Sequence, residues 1–373
     1  IMKYFTEPLY HWHFELSSKC TLKCPRCPRT EFPTNPNLNK DLDLDFIQKV
    51  LTPKRLNEEA RRIMFCGDIG DSIYAKDFLE ICQYIKQTNP KIHLYLITNG
   101  SYKKPEWWRK FASICNQYDT INFSVDGYDQ ESNNMYRVNS KFDTIMDGMK
   151  IMGKDSSAFV NWALIVFKFN QDHLQLVEQM AKDNGCDGLQ ITKSTKFGSK
   201  YQAYNMANDP TGTSIDPLEP DSEHVSETER YVRSYIPLTE RRLDNTEYLA
   251  LNMKLFYKIK SKYDKFITPM CLIGNRGIFI NAIGNLYPCS WVSFTYDQIG
   301  TDRKTINYKD SFFIKYADKV NLFKRSFEEV INNDVWEHLF GSFNDSAKAW
   351  VECEKKCHKS LVDFKYAVGY ETN

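Results

Sequence analysis

The sequence predicts an α/β fold. A parallel, barrel-like sheet, closed or partly closed, comes first, and a smaller α+β region with a β-hairpin follows it. Three observations predict this. Strand-like and helix-like segments alternate through the first half of the chain. The strands recur about every thirty residues, the repeat of a βαβ unit with right-handed crossovers. Late in the chain, two apolar runs flank Gly284-Asn285, a hairpin signature.

Each element has its own signal. Residues 10–17 place Tyr10, Trp12, Phe14 and Leu16 at period two, which is a strand. Residues 62–66, 92–98, 120–125, 159–169 and 188–192 read as five further strands. Residues 76–86 carry Phe78, Leu79, Cys82 and Ile85 at helical spacing. Residues 105–115, 142–152 and 172–183 are amphipathic in the same way. In such a sheet the chemistry belongs at the C-terminal ends of the strands. Polar and glycine-rich segments fall there: a cysteine loop after strand one, Gly67-Asp68-Ile69-Gly70-Asp71 after strand two, and Thr98-Asn99-Gly100 after strand three. Strand four carries Ser124 and ends in Asp126-Gly127.

Residues 196–265 break the pattern. Between 209 and 229 there are seven acidic residues, three prolines and no Lys or Arg, which reads as a solvated insertion. Helices are expected near Glu229 and over 247–263. The hairpin follows over 276–281 and 286–290, and 326–339 reads as helical. The expected division is a barrel over 1–195, a bridging region on the substrate side over 196–265, and a smaller domain over 266–373.

Composition excludes several classes. The 373 residues suit roughly two domains. With 42% hydrophobic and 26% charged residues, the chain is globular and has a real core. Lys+Arg at 49 against Asp+Glu at 48 gives a net charge of +1, so no overall field gathers nucleic acid or anionic membrane. The longest apolar run, 159–169, is too short for a membrane span and contains Lys168. No signal-peptide pattern opens the chain, so a cytoplasmic location is expected. There are eleven cysteines, an odd number, so they cannot all pair internally. Clustered cysteines in such a protein point to metal.

The sharpest cluster is Cys20-Thr21-Leu22-Lys23-Cys24-Pro25-Arg26-Cys27, a C-x3-C-x2-C loop. Three thiolates can hold three irons of a 4Fe–4S cube and leave the fourth iron open to a small ligand. Zinc is the alternative, with His11 or His13 as a fourth ligand. A second set, Cys271, Cys289, Cys353 and Cys357, comes late. Four thiolates suit either a closed cluster or a structural zinc. Cys66, Cys82, Cys115 and Cys186 are read as packing residues. Trp107-Trp108 is read as helix packing and His224 as solvated.

In these motifs the chain resembles the radical S-adenosylmethionine (SAM) superfamily. The resemblance covers roughly residues 8–195 and implies a partial (β/α)6 barrel with the cysteine loop after its first strand. It implies that the open iron chelates the amine and carboxylate of SAM. Gly67-Asp68 is similar to the motif that holds the cofactor's amino group. Ser124-Val125-Asp126-Gly127 with Met135-Tyr136-Arg137 is similar to a segment of the peptide-modifying branch, where the serine and arginine contact the cofactor carboxylate. The implied cofactor-binding residues are Gly67, Asp68, Asn99, Ser124, Asp126 and Arg137. Arg26 stands where many members carry an aromatic beside the adenine. Cys271, Gly284-Asn285-Leu286-Tyr287-Pro288-Cys289 and the Cys353–Cys357 pair resemble the SPASM/twitch extension, with an auxiliary 4Fe–4S cluster.

The resemblance implies two 4Fe–4S clusters, SAM as cofactor, and a flavodoxin or ferredoxin as electron donor. The implied reaction cleaves SAM reductively to a 5′-deoxyadenosyl radical, which abstracts hydrogen from a substrate. The expected substrate is a peptide or protein side chain. The alternatives are oxidation of a small molecule, as in aminoglycoside dehydrogenation, and a zinc-bearing scaffold without activity.

Overall fold

The computed structural model describes residues 5, 8–31, 37–193, 218–221, 228–231, 271, 277–293, 316–341, 343, 353 and 357. Nine strands form one sheet: β1 His11–Phe14, β2 Arg62–Phe65, β3 His93–Thr98, β4 Thr120–Ser124, β5 Phe159–Val166, β6 Gly188–Lys193, β7 Thr228–Tyr231, β8 Gly277–Ile280 and β9 Leu286–Tyr287. Their spatial order is β7-β6-β5-β4-β3-β2-β1-β8-β9. The pairs from β1 to β6 are all parallel. β6 does not pair with β1, so the barrel is open. This is the partial barrel that the alternation predicts.

The helices are α1 Pro28–Glu31, α2 Leu44–Val50, α3 Pro53–Glu58, α4 Phe78–Thr88, α5 Pro105–Ile114, α6 Gln130–Tyr136, α7 Phe142–Asp155 and α8 Leu174–Asp183. After β9 come α9 Ser290–Ser293, α10 Ala317–Val320, α11 Phe327–Ile331 and α12 Val335–Gly341. Their starts are chemically marked. Asp43 and Thr52 cap α2 and α3 with side-chain oxygens, and Pro53 and Pro105 sit in the first turns of α3 and α5.

Alternation sorts the strand faces. Trp12 and Phe14, Ile63 and Phe65, Leu94 and Leu96, and Ile121 and Phe123 are buried in the core. Phe65 meets Phe78 of α4, and Phe123 meets Trp108 of α5. The other face carries His11, His13, Arg62, Met64, Tyr95 and Ser124 and is only partly covered. At the N-terminal end of the sheet Lys86 and Asp119 form a buried ion pair at 2.9 Å. Lys86 Nζ also donates to the Ile92 carbonyl at 2.9 Å and to Asn116 Oδ1 at 3.1 Å, so the buried cation is satisfied. Cys82, Cys115 and Cys186 are buried, as packing residues should be.

Three sequence expectations need correction or lie elsewhere. Residues 228–231 form a strand, not the start of a helix, and pair antiparallel with β6. The open edge of β6 offers unpaired amides and carbonyls, and a short segment with Thr228 and Tyr231 satisfies them. The helical stretch expected over 326–339 is present as two helices, α11 and α12, parted at Asn332–Asp334. Asn332 and Asn333 favour local turns, and Trp336 Nε1 spans the break to the Val330 carbonyl at 2.7 Å. The helix expected over 247–263 lies outside the described residues. The late hairpin is present as β8–β9, with Gly284 at φ 77° in its turn. It adds to the sheet through β8, parallel to β1. No helix among the described residues is long and apolar enough to cross a membrane.

Candidate functional site

The cysteine loop leaves the top of β1 under several restraints. Ser17 Oγ donates to Asp41 Oδ1 at 2.6 Å, and Ser18 Oγ donates to the Asn37 carbonyl at 2.6 Å. Lys19 pairs with Asp41. Further on, Lys23 N donates to the Val138 carbonyl at 3.0 Å, and Asn139 Nδ2 donates to the Thr21 carbonyl at 2.7 Å. The loop is thus stitched to the segment following α6. Cys27 N donates to the Cys24 carbonyl at 3.1 Å, a turn that delivers the third cysteine to α1.

Cys20, Cys24 and Cys27 are half-buried and lie within electrostatic reach of one another. Burial first, then Asp71, then the other two cysteines push the Cys20 thiol up to about 12. Burial pushes Cys24 up to about 11, with Arg137 opposing. Asn99 Nδ2 donates to Cys20 Sγ at 3.6 Å and to Asp71 Oδ2 at 2.6 Å. The same Asp71 oxygen accepts from Asn99 N at 2.7 Å and from Thr98 Oγ1 at 2.9 Å. Asp71 therefore locks the end of β3 beside Cys20. It was not among the residues singled out from sequence, although its place in the Gly67–Asp71 loop was the available signal.

On the other flank Arg137 Nε donates to Asp126 Oδ2 at 2.5 Å. Asp126 Oδ1 accepts from Ile165 N at 2.8 Å, so both oxygens of this fully buried carboxylate are engaged. Burial works against the Arg137 charge, but Asp126, Cys24 and Tyr136 more than restore it, and its pKa rises. Asp126 thus fixes the guanidinium by its Nε edge, within electrostatic reach of Cys24. Ser124 ends β4 on the partly covered face, opposite the Phe123 side. Gly127 abuts α6 so closely that a Cβ would lie 2.1 Å from Asn133 N.

Gly67 and Gly70 are where they are because the loop is folded onto β1. A Cβ at Gly70 would meet the Ser17 carbonyl oxygen at 2.0 Å, and one at Gly67 would meet the Gly70 oxygen at 2.4 Å. The loop amides of Ile69 and Gly70 donate to Glu15 Oε1 at 2.8 and 3.1 Å. Burial pushes the Glu15 carboxyl up, and these backbone amides oppose it. Glu15 is a second residue that sequence reading missed. Its place in the strand-like run 10–17 gave no separate signal.

The four late cysteines gather from distant sequence positions. Burial, then Cys357, Cys289 and Cys353, raise the Cys271 thiol. Burial and then Cys357 push Cys289 up to about 12, with Asp68 adding to the shift. Asp68 therefore lies on the side of the late set, and Asp71 on the side of Cys20. Among the described residues, no group of three or more His, Cys, Asp or Glu stands close enough to share one ion. A cube asks for a different spacing. Each of its irons takes its own thiolate, whereas one zinc draws four ligands to about 2.3 Å. By donor chemistry, three gathered thiols with an open side and a neighbouring guanidinium fit a cluster that binds a small carboxylate. Four gathered thiols fit a closed one.

Residues 14–178 match the Radical SAM superfamily. No curated protein sequence matches the chain. Streptococcus suis SuiB bound to precursor peptide SuiA has a similar structure, with a TM-score of 0.51 at 15% identity over 91% of this chain and 67% of that one. Native anSMEcpe with bound AdoMet gives 0.47 at 16% identity, over 88% and 81%. BtrN in complex with AdoMet and 2-DOIA gives 0.43 at 13% identity, over 97% and 96%. The family match runs from the end of β1 into α8 and takes in Cys20, Cys24, Cys27 and Arg137. Residues 14–178, a little under half of the chain, are thus similar to a radical SAM domain.

Proposed function

We propose that the chain is a radical SAM enzyme that modifies a peptide or protein side chain and carries a second, auxiliary cluster. The observation that carries this reading is the gathering of Cys20, Cys24 and Cys27 beside Arg137, itself held by Asp126. Once loaded, the cluster and SAM supply a 5′-deoxyadenosyl radical for hydrogen abstraction, with the electron coming from a flavodoxin or ferredoxin.

The chain's own residues do the positioning. Cys20, Cys24 and Cys27 ligate three irons. Arg137 would pair with the cofactor carboxylate through its remaining N–H groups, and Ser124 would add a hydroxyl. The Gly67–Asp68 segment takes the amino end of the cofactor, and Asn99 steadies Cys20. Cys271, Cys289, Cys353 and Cys357 close the auxiliary site, within a C-terminal domain over 266–373. The similarity of the Ser124–Arg137 segment to peptide-modifying members favours a peptide. So does the fold shared with SuiB, whose structure holds a precursor peptide.

Anaerobic reconstitution tests the metal assignment. A brown protein with broad visible absorbance is expected, with about eight irons per chain. A colourless protein that holds zinc instead would overturn the reading.

A further inference from the structure

Glu15 occupies the joint between three parts of the molecule. Its backbone amide donates to the Ile280 carbonyl at the end of β8, at 2.9 Å. Its Oε1 accepts from Ile69 N and Gly70 N, and its Oε2 accepts from Ala282 N at 3.5 Å. The side chain is almost fully buried, so these amides are its solvation. One oxygen faces the Gly67–Asp71 loop and the other faces the hairpin that leads from β8 to Cys289. That loop reaches the first cysteine set through Asn99, whose Nδ2 donates both to Asp71 Oδ2 and to Cys20 Sγ, while the hairpin leads directly to Cys289. The glycines leave the loop no slack, because Gly67 already brings its backbone to where a Cβ would lie 2.9 Å from Glu15 Oε1.

We propose that Glu15 is a positioning residue that ties the cofactor loop to the C-terminal hairpin, so that the late cysteines set the geometry of the SAM site without touching it. This rests on the proposed reading of Gly67–Asp68 as a cofactor-holding segment. A carboxylate suits the role because it offers an acceptor to each side. Glutamine has nearly the same shape, but its amide turns an N–H group towards one of the two sets of donors.

The full chain, reconstituted anaerobically, carries the test. In Glu15→Gln, calorimetry with SAM should show binding about tenfold weaker, in the usual range of coupling between sites. The change that SAM makes in the reduced cluster's EPR spectrum should shrink with it. Hydrogen exchange should speed up in 67–71 and in 281–285 together. Replacing Cys353 and Cys357 by Ser should weaken SAM binding in the parent chain and add nothing in Glu15→Gln, since coupled sites are not additive. Unchanged SAM affinity, additive losses, or exchange that rises in only one segment would overturn the proposal. If Glu15→Gln does not fold, the parent chain decides: strong, joint protection of the Ile69, Gly70 and Ala282 amides is expected, and an unprotected Ala282 contradicts it. A parent chain that binds no SAM would sink the functional reading instead, with the exchange data still judging Glu15.

Discussion

At the scale of single residues, the candidate site rests on a half-buried cation held by a buried anion. Asp126 is wholly enclosed, and among the described residues Arg137 is the one side chain that bonds its carboxylate. Arg137→Ala should weaken SAM binding on the order of 1.5–3 kcal/mol, the worth of a hydrogen bond to a charged group. Calorimetry on reconstituted protein checks this, and iron content should not change. Arg137→Lys keeps a charge but loses the planar fork and the Nε–H that Asp126 accepts, so it should restore only part of the affinity. The Ser124–Arg137 segment stands out in the sequence, and the structure pairs its Asp126 with its Arg137. Glu15 and Asp71 do not stand out, because their roles arise from where two loops meet in space. A glutamate inside a strand-like run reads only as one more polar position.

At the scale of elements, the alternation of the strands and the apolar stripes of the helices were plain in the sequence, and the sheet follows them. The failures are local and physical. β7 sits in an acidic, proline-containing stretch with no apolar periodicity of its own, and its strand form comes from the open edge of β6. The break between α11 and α12 comes from Asn332 to Asp334, which compete for backbone hydrogen bonds within an otherwise helical pattern. The Lys86–Asp119 pair, which joins α4 to the turn before β4, was also invisible, since neither residue carries a motif. Lys86→Ala should destabilise the fold by about 3–5 kcal/mol, because it leaves the Asp119 carboxylate buried without its cation. Denaturant unfolding reads that loss. Gly70→Ala forces a Cβ against the Ser17 carbonyl, where only backbone movement makes room. It should displace the loop from Glu15 and abolish measurable SAM binding, with α4 and α5 unaffected by hydrogen exchange.

At the scale of the whole molecule, one sheet carries both cysteine sets. The first follows β1, and the second brackets the hairpin that β8 attaches to the same strand, with Cys271 before it and Cys289, Cys353 and Cys357 after it. Sequence spacing could give the two sets but not their nearness. Cys271 and Cys357 are 86 positions apart in the chain and still within electrostatic reach. Nor could spacing show that the Gly67–Asp71 loop meets Asn99, the neighbour of Cys20, at one end and the hairpin, through Glu15, at the other. Replacing Cys20, Cys24 and Cys27 together should leave about four irons per chain, and so should replacing Cys353 and Cys357. A triple variant that kept all its iron would show that the two sets are not separate ligand groups.

The most direct test of the account is the formation of 5′-deoxyadenosine from SAM by the reduced, reconstituted protein. The parent chain should form it. The variant lacking Cys20, Cys24 and Cys27 should form none, while the variant lacking Cys353 and Cys357 should still form it at saturating SAM. A cluster-loaded parent chain that releases no 5′-deoxyadenosine, or a triple variant that still does, would contradict the assignment of the N-terminal loop as the site of SAM cleavage.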